Sequence, residues 1–272
     1  MNIELSKKDI DHFLEMVHKH HNCDLRNYAR ASVTRRIIRL MIKQGHDQIN
    51  DLISDIQTGK TEFDDIVYNF SIKVTEMFRN PPFFQILRET VVPILKDFPK
   101  VNIWHAGCST GEEVYSLAII LKEEGLYENV MIYATDFNEK SLSIANQGIT
   151  SLKEIEKFED NYRNTGGKAS LSDYYHIQSK SVVFDKALSK NVKFFNHNMV
   201  SEKGFGQMHL ILCRNVLIYF NKGLQDKTLS LFNENLKQNC FLAIGSKETI
   251  NFSSIEKKYE PISKKYKIYR KL

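Results

Sequence analysis

The sequence predicts an α/β protein in which a helical N-terminal domain precedes a doubly wound, mostly parallel sheet. Residues 1 to about 90 are rich in helix-forming residues and poor in glycine. From residue 100, short β-rich runs alternate with helical ones, as in a parallel sheet that helices cover on both faces. The first run, "IWHAGCSTGEEVYSLAI" (103–119), passes through a small-residue turn into a helix. We assign residues 1–90 to the helical domain and its linker, and 91–272 to the sheet domain.

Composition indicates a globular protein and excludes several classes. The chain has 272 residues, 42% of them hydrophobic, and a net charge of +5. This mild excess of positive charge does not indicate whether the partner is a nucleic acid, an acidic membrane surface or an acidic protein. No run approaches the ~18 to 20 apolar residues of a membrane span, and the N-terminus lacks the features of a secretory signal. We expect a cytoplasmic protein without membrane insertion.

The four cysteines predict neither a metal site nor a disulfide framework. They stand singly among apolar neighbours, and no C-x-x-C pair occurs. They are Cys23, Cys108, Cys213 and Cys240.

One N-terminal helix carries an apolar face and a basic face. In "NYARASVTRRIIRLMIKQG" (27–45), the apolar arc at 100° per residue comprises Val33, Ile37, Leu40 and Met41. The basic residues Arg35, Arg36, Arg39 and Lys43 share a neighbouring arc. Gly45 is the expected C-cap. The basic arc is either a solvated face beside a core face or a docking surface for an acidic partner.

The expected sheet elements follow in order. The strands are "VNIWHA", "VMIYATD", "VKFFNHNM", "HLILCRNVLIYF" and "CFLAIGS", with helices at 112–124, 138–147 and 222–238. The final "YEPISKKYKIYRKL" reads as a strand, a turn and a strand that close one edge as an antiparallel pair. Residues 148–190, polar and glycine-bearing, interrupt the rhythm as an inserted subdomain would.

The turn after the first strand predicts a nucleotide-like ligand without phosphate. Gly107 and Gly111 let the backbone approach a ligand, and Ser109 or Thr110 is expected to cap the helix. A dinucleotide site would show G-x-G-x-x-G, whereas here Glu112 and Glu113 open the helix and would repel a phosphate. S-adenosylmethionine, which carries a sulfonium and an ammonium group, removes the conflict. The alternative is that both acids only complement the helix dipole.

Three further strand ends offer ligand groups. Asp136 lies 25 residues after Gly111, where an acid often binds ribose hydroxyls, although it could instead cap the helix that follows. Asn198 and Met199 could meet an adenine. A polar run follows the fourth strand. Burying polar groups without hydrogen-bond partners costs free energy, so this run is a candidate for a functional role. It comprises Arg214, Asn215, Val216 and Tyr219.

Together these segments resemble the CheR family of chemoreceptor glutamate methyltransferases. The matching stretches are "TEMFR" (75–79), "AGCSTGEEVYS" (106–116), "ATD" (134–136) and "CRNVLIYF" (213–220). The resemblance implies a Rossmann-like class I methyltransferase sheet and the cofactor S-adenosylmethionine. It implies cofactor contacts from Thr75, Arg79, Glu112 or Glu113, Asp136, Asn198, Met199, Asn215 and Val216, with the backbone at Gly107 close by.

The resemblance also implies the reaction and the partner. The reaction is methyl transfer to receptor glutamates, which gives γ-methyl esters and S-adenosylhomocysteine. A glutamate with a pKa near ~4.3 is already ionised at neutral pH, so no general base is expected, and His105, His197 and His209 are interpreted as packed or capping residues. We expect Arg79 and Tyr219 near the acceptor. The basic arc would then dock on the receptor's helical bundle, and no nucleic-acid partner is expected.

Four positions depart from the family pattern: Lys73, Met77, His209 and Lys247. Two alternatives to the receptor methyltransferase stay open: a methyltransferase that acts on another substrate, and a non-catalytic scaffold that binds the S-adenosyl ligand. An NAD-linked dehydrogenase is disfavoured by the missing glycine and the paired acids.

Overall fold

The computed structural model describes residues 3–21, 23–70 and 75–272. The chain divides into two compact units. The helical unit comprises Met1–Ile72 together with Ile218–Gln225, and the sheet unit comprises Lys73–Leu217 together with Asp226–Leu272. A short segment from late in the chain therefore belongs to the N-terminal unit.

The helical unit packs its helices around an apolar core. Its helices are Lys7–His21 (α1), Arg30–Gln44 (α2), Ile49–Gln57 (α3) and Phe63–Phe70 (α4). The predicted apolar arc of α2 is fully buried, and the Phe13 and Phe70 rings stack with centroids 5.9 Å apart. Gly45 ends α2 in the left-handed conformation (φ 76°), as the sequence predicts.

The sheet unit contains a seven-stranded sheet and a smaller one within the described residues. In chain order the strands are Val101–Ala106 (β1), Val130–Asp136 (β2), Ile149–Ser151 (β3), Tyr175–Gln178 (β4), Ser181–Phe184 (β5), Val192–Asn196 (β6), Met208–Cys213 (β7), Leu236–Ile244 (β8), Tyr259–Ser263 (β9) and Ile268–Lys271 (β10). The helices are Pro81–Ile86 (α5), Val92–Leu95 (α6), Glu112–Glu123 (α7), Glu139–Gln147 (α8), Ile155–Arg163 (α9) and Lys222–Asn235 (α10). A π-helical turn, Leu87–Val91, joins α5 to α6.

The large sheet confirms the expected class I methyltransferase fold. Its order is β6-β2-β1-β7-β8-β10-β9. The strands from β6 to β8 are parallel, and β10 runs antiparallel to both β8 and β9. The central strands β1 and β7 are almost entirely buried, as expected for strands that helices cover on both faces.

The small sheet is antiparallel, in the order β3-β5-β4. It lies within residues 148–190, where the sequence predicts an inserted subdomain and the family resemblance implies that it is a β-subdomain. The helix α9 belongs to the same stretch, and its Phe158 and Tyr162 are buried.

The parallel strands all end at one edge of the large sheet, called the carboxyl edge below. Because strands β1, β2, β6, β7 and β8 run in the same direction, the polar turns that follow them meet at this edge. Open α/β sheets bind their ligands there.

Candidate functional site

The turn from β1 into α7 approaches the neighbouring strand ends closely. Gly107 has φ 74°, and its amide nitrogen donates to the Thr135 carbonyl oxygen at 2.7 Å. A Cβ at Gly107 would lie 2.6 Å from Cγ2 of Val216. Glycine is therefore required both for the backbone angle and for the space.

The prediction that Ser109 or Thr110 caps α7 is wrong. Gly111 (φ 93°) is the N-cap residue, and no side chain caps the helix. The Thr110 hydroxyl is directed instead to Oε2 of Glu112, at 2.7 Å. Ser109 adopts φ 50°, and its amide is bound by Asp136.

Glu112 is a buried carboxylate on the wall of a cavity. Only 7% of it is exposed, and it lines a cavity of about 650 Å³ together with Thr75, Thr150 and Lys180. Its Oε1 accepts from the Thr150 hydroxyl at 3.3 Å. Within the described parts of the chain, no cation lies within ion-pair distance of it. Burial raises the pKa of Glu112, while hydrogen bonds from hydroxyl groups oppose that rise.

Glu113, the next residue, has an opposite environment. Its Oε2 accepts from Nη1 of Arg214 at 2.5 Å, and its Oε1 lies 3.2 Å from Nε2 of His105. Although burial acts to raise its pKa, Arg214 and His105 hold the pKa of Glu113 below its ordinary value. Of the two predicted cofactor acids, therefore, Glu113 is already neutralised by the protein.

Arg214 joins α7 to the segment that carries Arg79. Its Nη2 donates to the carbonyl oxygen of Arg79 at 3.0 Å and to Oδ1 of Asn80 at 3.3 Å. Its guanidinium lies 3.9 Å from the centroid of the Phe83 ring. The sequence pattern places Arg214 in a polar run but does not predict it as a cofactor or acceptor contact. Burial lowers the pKa of Arg214, and Glu113 acts against that change.

Asp136 connects the turns that follow β1 and β2. Its Oδ2 accepts from the Ser109 amide at 2.8 Å and its Oδ1 from the Asn138 amide at 3.0 Å. The carboxylate is 8% exposed, and burial raises its pKa. Asn138, not Asp136, is the side chain that caps α8, because its Oδ1 accepts from the Ser141 amide at 3.0 Å. The capping alternative for Asp136 is therefore not supported.

The residues after β6 form a local turn. The side-chain Oδ1 of Asn198 accepts from the Val200 backbone amide at 3.0 Å, and the backbone amide of Asn198 donates to Oε1 of Glu202 at 2.9 Å. The neighbouring Met199 is 8% exposed. One face of the Asn198 side-chain amide is thus already used in the turn.

The residues after β7 are held by a carboxylate that the sequence analysis missed. Asn215 adopts φ 62°, and its amide donates to Oε2 of Glu248 at 3.2 Å. The same oxygen accepts from the Gly245 amide. Glu248 thereby joins the ends of β7 and β8. The signal for this role is the final glutamate of "GSKE" (245–248), directly after Lys247.

Two predicted residues of the helical unit, Tyr219 and Arg36, pack against each other. Tyr219 lies in the Ile218–Gln225 segment, where its carbonyl oxygen accepts from the Ala29 amide at 2.7 Å. The Arg36 guanidinium lies 4.6 Å from the centroid of the Tyr219 ring. Arg36 is 5% exposed, so its assignment to an exposed basic row is wrong. The other members, Arg35, Arg39 and Lys43, are exposed.

The departures from the family pattern have three outcomes. His209 is buried, accepts from the Asn102 amide at 3.0 Å, and has a pKa that burial and Lys237 lower. Lys247 is exposed. Lys73 lies outside the described residues. His209 is thus a packed histidine of the sheet.

No group of three or more potential ligands could hold a metal ion among residues 3–21, 23–70 and 75–272. Over the same ranges, no helix has the length and apolar character needed to cross a bilayer.

Comparisons with known proteins cover nearly the whole chain. Residues 8–71 match the family model described as "CheR methyltransferase, all-alpha domain", and residues 73–268 match "CheR methyltransferase, SAM binding domain". The Pseudomonas putida protein Cher3 is 42% identical over 258 residues, which cover 95% of this chain and 94% of that protein. The chemotaxis protein methyltransferase of Borreliella burgdorferi is 28% identical, over 92% of this chain and 91% of that protein. The Listeria monocytogenes protein of the same name is 29% identical, over 90% and 91%.

Proposed function

The chain belongs to the CheR family of S-adenosylmethionine-dependent methyltransferases, and from that premise we propose that it methylates glutamate side chains of chemoreceptors. The product is a glutamate γ-methyl ester. Relatives along the whole chain are named chemotaxis protein methyltransferases, which supports a receptor as the substrate. The receptor's methyl-accepting helical bundle would be the partner, in the cytoplasm.

The buried Glu112 carries the proposal. It is a carboxylate on a cavity wall, surrounded by hydroxyl groups and with no ion-pair partner in the described chain. Burying an unpaired charge is costly, so the arrangement favours a cationic ligand. A phosphate would be repelled at this position. The ammonium group of a methionine moiety would satisfy Glu112, and the neighbouring Glu113 would not be required for this contact.

The remaining cofactor contacts follow from the strand ends. Asp136 would bind the ribose hydroxyls, because its two oxygens accept one backbone hydrogen bond each and retain further acceptor capacity. Met199 would contact the adenine, with Asn198, Asn215 and Val216 beside it. Thr75 would act through Glu112, to which it is hydrogen-bonded.

The chain's own residues have positioning tasks rather than proton transfer. When bound, S-adenosylmethionine supplies an activated methyl group, and its transfer leaves S-adenosylhomocysteine. The acceptor carboxylate is ionised at neutral pH, so the site needs no general base. Arg79 would steer that carboxylate or order the cofactor, and Arg214 fixes the backbone of Arg79. Such positioning can contribute roughly 7 to 11 kcal/mol in favourable systems.

A methyl-ester assay tests the function. The chain is incubated with S-adenosylmethionine carrying a labelled methyl group and with a receptor cytoplasmic fragment, and then with mild base. We expect volatile labelled methanol, which esters release and methylated nitrogen does not. A fragment whose acceptor glutamates are replaced by alanine is the matched control.

The two alternatives give different results in the same assay. Label that stays non-volatile after base would identify a methyltransferase with another type of acceptor. Tight binding of S-adenosylhomocysteine without turnover on any receptor fragment would identify a non-catalytic scaffold. Either result contradicts the proposal.

A further inference from the structure

The turn between β9 and β10 places lysines at the carboxyl edge of the sheet. Ile268, the first residue of β10, pairs with Ala243 near the end of β8. The amide of Ile244 donates to the carbonyl oxygen of Lys267 at 3.1 Å. The turn that precedes β10 therefore lies beside the end of β8, at the same edge as the turns of the candidate cofactor site.

We name the cluster at this edge the edge lysines: Lys247, Lys264, Lys265 and Lys267. Lys247 follows β8, and the other three belong to the turn from Ser263 to Ile268. The first three members are exposed, and Lys267 is half-buried. No edge lysine forms an ion pair with any part of the chain that the structure describes.

The carboxylate that follows β8 at this edge, Glu248, is already used. Glu248 is buried, and its Oε2 accepts from the amides of Asn215 and Gly245. The edge lysines therefore present a positive surface that the protein itself does not neutralise.

We propose that the edge lysines form a docking surface for the acidic methyl-accepting segment of the receptor. The inference rests on the proposed function, because it takes the glutamate-bearing segment as the partner. Exposed charges of one sign attract an oppositely charged partner and speed its encounter with the site. Their position at the carboxyl edge would bring an acidic segment to the edge that carries the candidate cofactor site. This surface belongs to the sheet unit, whereas the basic residues of α2 belong to the helical unit.

The β9–β10 hairpin provides its own matched control. Lys257 and Lys258 are also exposed and precede β9. Tyr259 pairs with Lys271, whose Nζ donates to the carbonyl oxygen of Leu236 at the start of β8. This lysine pair therefore lies at the opposite edge of the sheet, away from the turns of the candidate site.

The test compares K264Q/K265Q with K257Q/K258Q in the full-length chain. Each variant loses the same charge and keeps the side-chain length. For K264Q/K265Q we expect the KM for a receptor fragment to rise about fivefold at low ionic strength, since exposed charges each contribute little. The kcat and the affinity for S-adenosylhomocysteine should stay unchanged, and the difference in KM should shrink as salt is added. The control variant should match the wild type.

Equal KM values for the two variants on an active wild-type background would overturn the inference and leave the proposed function intact. An unchanged receptor KM combined with weaker binding of a duplex oligonucleotide by K264Q/K265Q would also overturn it, in favour of a nucleic-acid surface. A wild type that forms no methyl ester would instead overturn the proposed function. Direct binding of the receptor fragment, measured by fluorescence anisotropy, then tests the docking surface without catalysis.

Discussion

Arg214 and Glu113 form an ion pair from which solvent is almost excluded, with side chains 2% and 9% exposed. The pair joins the start of α7 to the end of β7. Through its second nitrogen, Arg214 also holds the carbonyl oxygen of Arg79. A buried pair of this kind is weak evidence for net stability, but the loss of one partner leaves the other charge buried and unpaired. Glu113 is therefore expected to serve the fold.

Glu113→Gln should destabilise the protein by about 3 kcal/mol, because Arg214 would keep a buried charge without its counterion. Chemical denaturation at neutral pH measures the free energy of unfolding. The lowered pKa of Glu113 means that its contribution is present at neutral pH and decreases as the pH falls below about its ordinary value of 4.5. The wild type and the variant should therefore converge in acid. A variant as stable as the wild type at neutral pH would contradict this role.

Glu112→Gln should weaken ligand binding without destabilising the protein, which is the reverse of the effect expected for Glu113→Gln. We expect the affinity for S-adenosylhomocysteine, measured by calorimetry, to fall at least tenfold, or ~1.4 kcal/mol. The stability of the free protein should stay the same or rise, because a buried carboxylate without a cation is removed.

The pH dependence gives a second readout for Glu112. Only the ionised carboxylate attracts an ammonium group, and burial raises the pKa of Glu112. As the pH is lowered, the affinity of the wild type for S-adenosylhomocysteine should therefore begin to fall at a higher pH than it would if Glu112 had the pKa of an ordinary glutamate. This component of the fall should be absent from Glu112→Gln. Equal effects of Glu112→Gln and Glu113→Gln on ligand affinity would refute the division of roles.

The different roles of these two glutamates show where sequence reasoning reached its limit. The alternation of apolar strands and helices was sufficient to predict the parallel sheet, because each buried parallel strand appears in the sequence as a continuous apolar run. The choice between Glu112 and Glu113 depends on Arg214, which is 101 positions from Glu113. No local pattern contains that contact.

Long-range packing also explains the error at Arg36. A helical wheel places Arg36 beside exposed arginines, but Tyr219 packs against its guanidinium from a segment far along the chain. The missed role of Glu248 has a similar origin, since its carboxylate binds the Asn215 amide 33 positions away. The capping prediction at Ser109 failed because the N-cap position falls at Gly111, while the Ser109 amide donates to Asp136, 27 positions away.

Asp136→Asn should weaken S-adenosylhomocysteine binding at least tenfold by calorimetry, or ~1.4 kcal/mol. The amide keeps one acceptor oxygen for the backbone turns but loses the charged acceptor for ribose hydroxyls. Asp185→Asn is the matched control, because Asp185 also accepts from a backbone amide, that of Ala187, at 2.9 Å. If both variants weaken S-adenosylhomocysteine binding equally, the effect of the Asp136 substitution is structural.

Gly107→Ala should destabilise the sheet unit by more than the backbone angle alone explains. A left-handed φ costs a non-glycine residue about 1 to 2 kcal/mol, and the new Cβ would also clash with Val216. Gly125→Ala is the matched control in the same unit, because Gly125 has φ 69° and open space around it. In Gly107→Ala, the shift of Val216 should also weaken ligand binding. Equal losses of stability would show that the contact with Val216 does not matter.

The exposed arginines of α2 are expected to dock on the receptor while leaving the cofactor site unaffected. Arg35→Glu combined with Arg39→Glu should raise the KM for a receptor fragment roughly tenfold, because two attractive charges become repulsive towards receptor glutamates. The affinity for S-adenosylhomocysteine should stay unchanged. Lys7→Glu combined with Lys8→Glu is the matched control, since these lysines are exposed on α1 of the same unit and give the same change in charge.

Steady-state methylation at several receptor concentrations, together with calorimetry, separates the possible outcomes of this experiment. Arg36 is left unchanged in both variants, because it is buried against Tyr219 and its substitution would disturb the fold. If Arg35→Glu/Arg39→Glu lowers cofactor affinity as much as receptor methylation, these arginines are structural. If Lys7→Glu/Lys8→Glu raises the receptor KM equally, the receptor responds to the overall charge of the helical unit. Only a selective rise in KM for the α2 variant supports a docking helix.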